Sequence, residues 1–302
     1  MEFLEVPINL RKHRKHRAVK LEHIVETVFK KVLAIKLPKG IIFRGPLNLS
    51  RTRCFFRYPC EGMPEIAVII PARWGSSRFP GKPLAEIAGK PLIQHVWERC
   101  RLVKKISRVI VATDDSRIFN AAAAFGAEVE MTSAEHQSGT DRIAEVAARQ
   151  STLTHVINVQ GDEPLISPAL IHSLAEALLS GKTEIVTAAS EICDPEELEN
   201  PNVVKVVFNR AGNALYFSRS QIPFSRSQPA KAFRHHGIYG YTARLLREFV
   251  SWPQSDLEKT EQLEQLRVLD RGVRIQVVIS NESSIGVDVP GDIQRVEAEL
   301  KS

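Results

Sequence analysis

A chain of 302 residues with 43% hydrophobic and 25% charged residues, 16 Gly and 17 Pro has the make-up of a folded globular protein, which excludes disordered, collagen-like and disulfide-scaffold classes. Its formal charge of +6 is uneven: residues 1–62 carry 14 Lys+Arg against 5 Asp+Glu, and the rest 27 against 30. The basic balance belongs to the first 62 residues and gives the body no nucleic-acid footprint. No apolar run reaches the ~18–20 residues that a membrane-spanning helix needs. The cysteines, Cys54, Cys60, Cys100 and Cys193, form no C-x-x-C pair and have no His at metal spacing, so they read as structural thiols of a reducing compartment.

Residues 1–62 begin with the basic run Arg11–Arg17, followed by Leu21, Ile24, Val25, Val28, Phe29, Val32 and Leu33 at helical spacing. This predicts a short amphipathic helix, with a membrane-surface anchor or a targeting peptide as its functional readings. Met63 stands just before a strong strand pattern. The body is therefore expected to span 63–302, with 1–62 as an added leader or an overlong gene start.

From Glu65 onward short apolar runs alternate with helical segments, the pattern of βα repetition around a mainly parallel sheet. Strands are predicted at Ile66–Ile70, Val109–Ala112, Val129–Met131, Val156–Val159 and Ile185–Ala188. Crossover helices are predicted at Pro91–Lys104, Ser116–Phe125, Gly139–Arg149 and Pro168–Ser180. Beyond residue 190 the regularity weakens. Val203–Phe208 and Ala214–Phe217 read as a hairpin turning at 210–213, and Ser218–Phe233 as loop, so 203–233 is taken as an insertion and a dimer surface. Helices follow at Thr242–Val250 and Lys259–Leu269, then a strand at Ile275–Ile279 and a last helix from Pro290 to Leu300.

The segment Ile69–Leu84 follows the first strand and gathers Arg73, Ser76, Ser77, Arg78, Lys82, Gly75 and Gly81. Glycines admit an anion to backbone N–H groups, hydroxyls add donors and the cations offset charge, so this is a polyphosphate loop. It is not the ATPase P-loop: five residues separate the glycines instead of four, and Pro83 stands where a Ser/Thr would hold magnesium. No G-x-G-x-x-G occurs either, which disfavours a dinucleotide oxidoreductase. Asp162 directly follows a strand, where its carboxylate can reach phosphates held by this loop. Together with Asp288, just past the last strand, it makes a two-carboxylate magnesium site. Asp114 and Asp115 also follow a strand but read as helix caps.

This loop resembles the cytidylyltransferases that activate acid sugars, and later segments bring the resemblance to the 3-deoxy-manno-octulosonate (Kdo) cytidylyltransferase family over about residues 65–300. They are His136–Arg142, Asn158–Pro164, Lys205–Val207, Ala214–Arg219, His235–Tyr241, Leu263–Arg267 and Gly286–Pro290, all in the family's order. The resemblance implies a Rossmann-like α/β fold of the nucleotide-diphospho-sugar transferase type, a mainly parallel sheet flanked by helices. It also implies CTP and Kdo as substrates, Mg2+ as cofactor, a homodimer and a cytoplasmic enzyme of lipopolysaccharide synthesis. It places Ala72, Arg73, Ser76, Lys82, Gln137, Ser138, Gly139, Arg142 and Asp162 around the nucleotide, and Gln160, His235, Tyr239, Glu264 and Gln265 around the sugar. It makes Asp162 and Asp288 the metal ligands and, with Arg73 and Lys82, the catalytic set. His236 departs from the pattern, standing where the family has an apolar residue. A CMP-sialate synthetase is the nearer alternative, and an RNA- or membrane-surface-binding protein acting through the basic leader is the distant one.

Overall fold

The computed structural model describes residues 64–75, 79–226, 230–281 and 286–301. The basic leader, Cys54, Cys60, Ser76, Ser77 and Arg78 lie outside the described residues. Strand β1 (Glu65–Ala72) is flanked in parallel by β4 (Arg108–Thr113) and β6 (Leu153–Asn158), and β5 (Glu128–Met131) lies in parallel beyond β4. On the other side β10 (Phe233–Thr242) is antiparallel both to β6 and to β7 (Ile185–Glu191), and β11 (Gln276–Ile279) adds in parallel to β7. The order is β11-β7-β10-β6-β1-β4-β5. Strands β8 (Lys205–Phe208) and β9 (Ala214–Ser218) form an antiparallel pair joined to β10, and β2 (Glu86–Ile87) and β3 (Lys90–Pro91) form a separate small hairpin.

Both faces of the sheet are covered, which is why its strands read as apolar runs. Alternation along β1 sends Ile66, Val68 and Ile70 to one face and Ala67 and Ile69 to the other. The first face packs on α1 (Leu92–Arg101), α2 (Ser116–Ala124) and α4 (Pro168–Leu179) through Ile93, Ile118 and Leu174, with Val296 of α9 (Asp292–Lys301). The second packs on α3 (Gly139–Arg149) and α6 (Ala243–Ser251) through Ile143 and Leu246. Each such fully buried Ile or Leu contributes about 1.5–3 kcal/mol.

The five early strands and four crossover helices match the expected elements with ends shifted by a few residues. Two features differ. The predicted helix over Lys259–Leu269 is two short ones, α7 (Asp256–Glu261) and α8 (Gln265–Asp270), after the small helix α5 (Pro195–Glu199). The break falls at Gln262, whose left-handed φ of 55° stops the helix. The buried Glu258 carboxylate grips the Arg267 guanidinium across that break, with Arg267 Nε donating at 2.7 Å. Strand β10 was hidden by its Gly237, Gly240 and paired histidines, which lack strand propensity. At the start of α9 the Asp292 carboxylate reaches back, its Oδ2 accepting from Asp288 N at 2.8 Å and Val289 N at 3.0 Å. Asp115 caps α2 as expected, whereas Asp114 pairs with Arg142 at 2.8 Å. Cys100 is buried, which pushes its thiol pKa upward, in keeping with a structural role, and Cys193 is exposed.

Candidate active site

The site forms at one rim of the sheet because β6 ends next to the end of β1, and antiparallel β10 delivers its beginning to the same rim. The tight point is Pro71. A Cβ on Gly139, at the start of α3, would lie 3.3 Å from the Pro71 ring, and one on Gly161 would lie 2.8 Å from the Pro71 carbonyl oxygen. Only glycine at 161 lets the 159–163 segment close on β1, and glycine at 139 spares the Pro71 ring a tight contact. Gly161→Ala is therefore expected to push the Asp162 loop off β1, lowering stability by about 1–3 kcal/mol in urea unfolding and reducing turnover with it.

The loop after β1 is closed by Gly81 N donating to Trp74 O at 3.1 Å. Gly81 sits at φ 71° against the Trp74 ring, whose face also carries the Arg117 guanidinium at 3.3 Å. This closure aims Lys82 inward. Its Nζ donates to Asp162 Oδ2 at 2.6 Å and to Val287 O at 2.8 Å, and lies 3.8 Å from Asp288 Oδ1. Val287 N in turn donates to Asp162 O at 2.9 Å, lacing the segment before α9 to the segment after β6. Three residues far apart in sequence thus meet at one point. Arg73 is exposed in the same loop, and Ala72 ends β1 as a buried residue paired with Thr113.

At the start of α3 the Ser138 hydroxyl accepts from Asp141 N at 3.1 Å and donates to Asp141 Oδ2 at 3.0 Å, while Gln137 is exposed. Arg142 departs from the expectation of a nucleotide contact. It is 3% exposed, with its guanidinium held by Asp114 and by the Thr132 hydroxyl. No sequence spacing marks this pairing, because Asp114 and Arg142 meet only when β4 and α3 pack.

Beside the Lys82 point lies a cavity of about 540 Å³, whose wall includes Gln160, His235, Tyr239, Glu264, Gln265 and Asp288. All five expected sugar residues are there. Glu264 accepts from the Thr140 hydroxyl at 2.7 Å, and Gln160 Nε2 donates to Gly237 O at 3.3 Å. Asn158 Oδ1, Tyr239 OH and Gln265 Nε2, on three residues of this wall, are buried without a partner among the described residues. Buried polar atoms cost free energy unless paired, so such a wall is suited to a polyhydroxylated ligand. Asn158 was missed as a site residue because it falls inside the predicted strand Val156–Val159.

Both histidines line the cavity. His235 stands between the Phe217 and Tyr239 rings, with Nε2 3.0 Å from Thr187 Oγ1. The single Thr187 hydroxyl proton faces the His236 and Ile238 carbonyls, so His235 Nε2 donates and Nδ1 is its acceptor nitrogen. His236 meets the Ser190 hydroxyl at 3.0 Å. Burial lowers the His235 pKa to about 3 and the His236 pKa to about 4, each with help from a neighbour, His236 and Arg234 respectively. Both imidazoles are neutral in the fold. The unfolded chain, titrating near 6.5, binds protons that the native state refuses, so their contribution is whole above pH 6.5 and is lost as pH falls through about 4 to about 3. The urea midpoint is expected to fall between pH 6.5 and 4, and to fall less in the His235→Gln/His236→Gln variant. Burial likewise raises the Tyr239 pKa, keeping the hydroxyl protonated.

A family model described as Cytidylyltransferase matches residues 67–275. A 3-deoxy-manno-octulosonate cytidylyltransferase of Syntrophotalea carbinolica (strain DSM 2380 / NBRC 103641 / GraBd1) is 50% identical over 249 residues, covering 78% of this chain and 99% of the relative. The chain belongs to the 3-deoxy-manno-octulosonate cytidylyltransferase family. A relative of that description from Thermodesulfovibrio yellowstonii (strain ATCC 51303 / DSM 11347 / YP87) is 47% identical over 245 residues, covering 76% of this chain and 95% of its own length. Among solved structures, CMP:2-keto-3-deoxy-manno-octonic acid synthetase complexed with CTP aligns with a TM-score of 0.75 at 41% identity, over 78% of this chain and 98% of that one. A 4-diphosphocytidyl-2C-methyl-D-erythritol synthase from Anaerococcus prevotii DSM 20548, at 17% identity and TM-score 0.55 over 79% of this chain and 99% of its own, shares the Rossmann-like fold of this cytidylyltransferase family.

Proposed function

We propose that the protein transfers CMP from CTP to the anomeric hydroxyl of Kdo, releasing pyrophosphate. The observation that carries this reading is the meeting of Lys82, Asp162 and Asp288 beside a polar cavity of about 540 Å³. The hydroxyl oxygen attacks the α-phosphorus as its proton is lost to solvent, the bond to the bridging oxygen of the β-phosphate breaks to release pyrophosphate, and no covalent enzyme intermediate is needed. Catalysis is then positioning and charge stabilisation. Lys82 and Arg73 stabilise the triphosphate and the departing pyrophosphate. The loop around Gln137, Ser138 and Gly139 receives the base and ribose, with Ser76 of the first loop adding a phosphate donor. Gln160, His235, Tyr239, Glu264 and Gln265 hold the sugar acid.

Asp162 Oδ2 and Asp288 Oδ1 both lie within 4 Å of the Lys82 ammonium, at 2.6 and 3.8 Å. Two carboxylates facing one point fit a magnesium ion, which takes one or two carboxylates and completes its shell with phosphate oxygens and water. Bound there, magnesium offsets phosphate charge and lowers the pKa of the attacking hydroxyl. Lys82 keeps the two acids together when the ion is away.

The same chemistry implies a cytoplasmic enzyme, and no helix among the described residues is long and apolar enough to cross a membrane. A homodimer is supported by Leu215 and Phe224, which are 60% and 84% exposed in the 203–233 segment and would gain from cover by a second copy. An association of the basic leader with RNA or anionic lipid is tested by comparing the full chain with residues 63–302. The test of the main reading is incubation with Kdo, magnesium and each of the four nucleoside triphosphates, following pyrophosphate. Release with CTP and Kdo together is expected. Release with sialic acid and not with Kdo would overturn the sugar, and release with neither would overturn the activity.

A further inference from the structure

Lys205, the first residue of β8, has no exposed surface and takes no part in the chemistry above. An ammonium taken out of water is costly unless the protein solvates it. Here its three donors go to three main-chain carbonyls: Asn200 at 2.9 Å, Val203 at 2.9 Å and Arg219 at 2.7 Å. The nearby Glu261 carboxylate is engaged elsewhere, accepting from the Ser218 hydroxyl at 2.6 Å and from Arg219 N at 3.0 Å. Burial and the Arg219 charge lower the Lys205 pKa, so the site is held at some cost to the charged form.

Two of the three carbonyls, those of Asn200 and Val203, belong to the turn that shapes the cavity. Asn202, Val203 and Val204 line it, and the Val204 carbonyl accepts from His235 N at 2.8 Å. Lys205 itself pairs in register with Ser218 on one side and Arg234 on the other. One side chain therefore ties the turn before β8 to the end of β9 and, through Val204, to the beginning of β10. Without its donors the three carbonyls lose their partner together and the turn has less to hold it against β10.

We propose that Lys205 is a positioning residue for the acceptor sugar: it fixes the 200–204 wall of the cavity and the His235 main chain, and so supports sugar binding without serving the nucleotide. This rests on the reading that the sugar acid occupies that cavity, and the experiment separates the two. The wild-type protein is saturated with magnesium and a CTP analogue whose α,β bridge is methylene, and amide hydrogen exchange is followed with and without Kdo. Kdo is expected to slow exchange both in 200–206 and in 235–239. Protection of 235–239 alone overturns the role of Lys205 and leaves the sugar in the cavity, whereas protection of neither segment overturns the sugar placement and the proposal with it. In the Lys205→Met variant, KM for Kdo is expected to rise about tenfold, with KM for CTP and kcat at saturating Kdo within about twofold of wild type. An unchanged KM for Kdo, or an equal rise for both substrates, overturns the proposal. The exchange result stands without the variant, so a Lys205→Met chain that does not fold leaves the test intact.

Discussion

Asp162→Asn is expected to cut kcat by roughly a thousandfold or more, because it removes a full charge from the point at which the proposed mechanism neutralises the phosphates. The asparagine has the same shape, and the Asp162 side chain is 33% exposed, so folding and thermal midpoint should hardly change. The lost carboxylate is the one at 2.6 Å from Lys82 and on the segment laced to Val287. A second consequence separates this role from a general loss of shape: the magnesium concentration for half-maximal activity should rise. Binding of Mn2+ to the protein with CTP, measured by calorimetry, should weaken in parallel. Turnover at the wild-type rate in saturating magnesium would refute the assignment of Asp162.

Lys82→Met should lower kcat/KM for CTP by about a hundredfold to a thousandfold, the range seen when one charge-stabilising donor is removed. Three contacts go at once: to Asp162, to the Val287 carbonyl and towards Asp288. The two carboxylates would then repel without a cation between them, and the segment before α9 would lose one of its ties to the core. Lys82→Arg is expected to recover little, since a planar fork cannot replace a compact ammonium aimed at three oxygens on different segments. Steady-state kinetics by pyrophosphate release decide the matter. A Lys82→Met enzyme within about threefold of wild type would remove Lys82 from the machinery.

The site was legible in the sequence to the extent that its chemistry sits in short runs. The loop of glycines, hydroxyls and cations after β1 and the carboxylates after apolar strands each carry their meaning locally. What sequence missed shares one cause. Asp114 with Arg142, Glu258 with Arg267, Thr187 with His235 and Lys205 with the Arg219 carbonyl are partnerships between elements, and a partner on another element leaves no spacing to read. Asp292 could have been found: a carboxylate at the first residue of a helix that reaches back to the N–H groups just before it is a local capping pattern.

By itself the sequence determined the alternation of strands and helices, the position of the glycine- and cation-rich loop after the first strand and the residue types of the candidate site, because propensity, periodicity and loop chemistry act over a few residues. Only the tertiary structure decided that β10 runs against its neighbours, which brings His235 to the rim where β1 and β6 end. It also decided that Lys82 meets Asp162 and Asp288, 80 and 206 residues away. Burial of both sheet faces fixes that arrangement, since the strand order that covers the most apolar surface carries the polar loop residues to one rim.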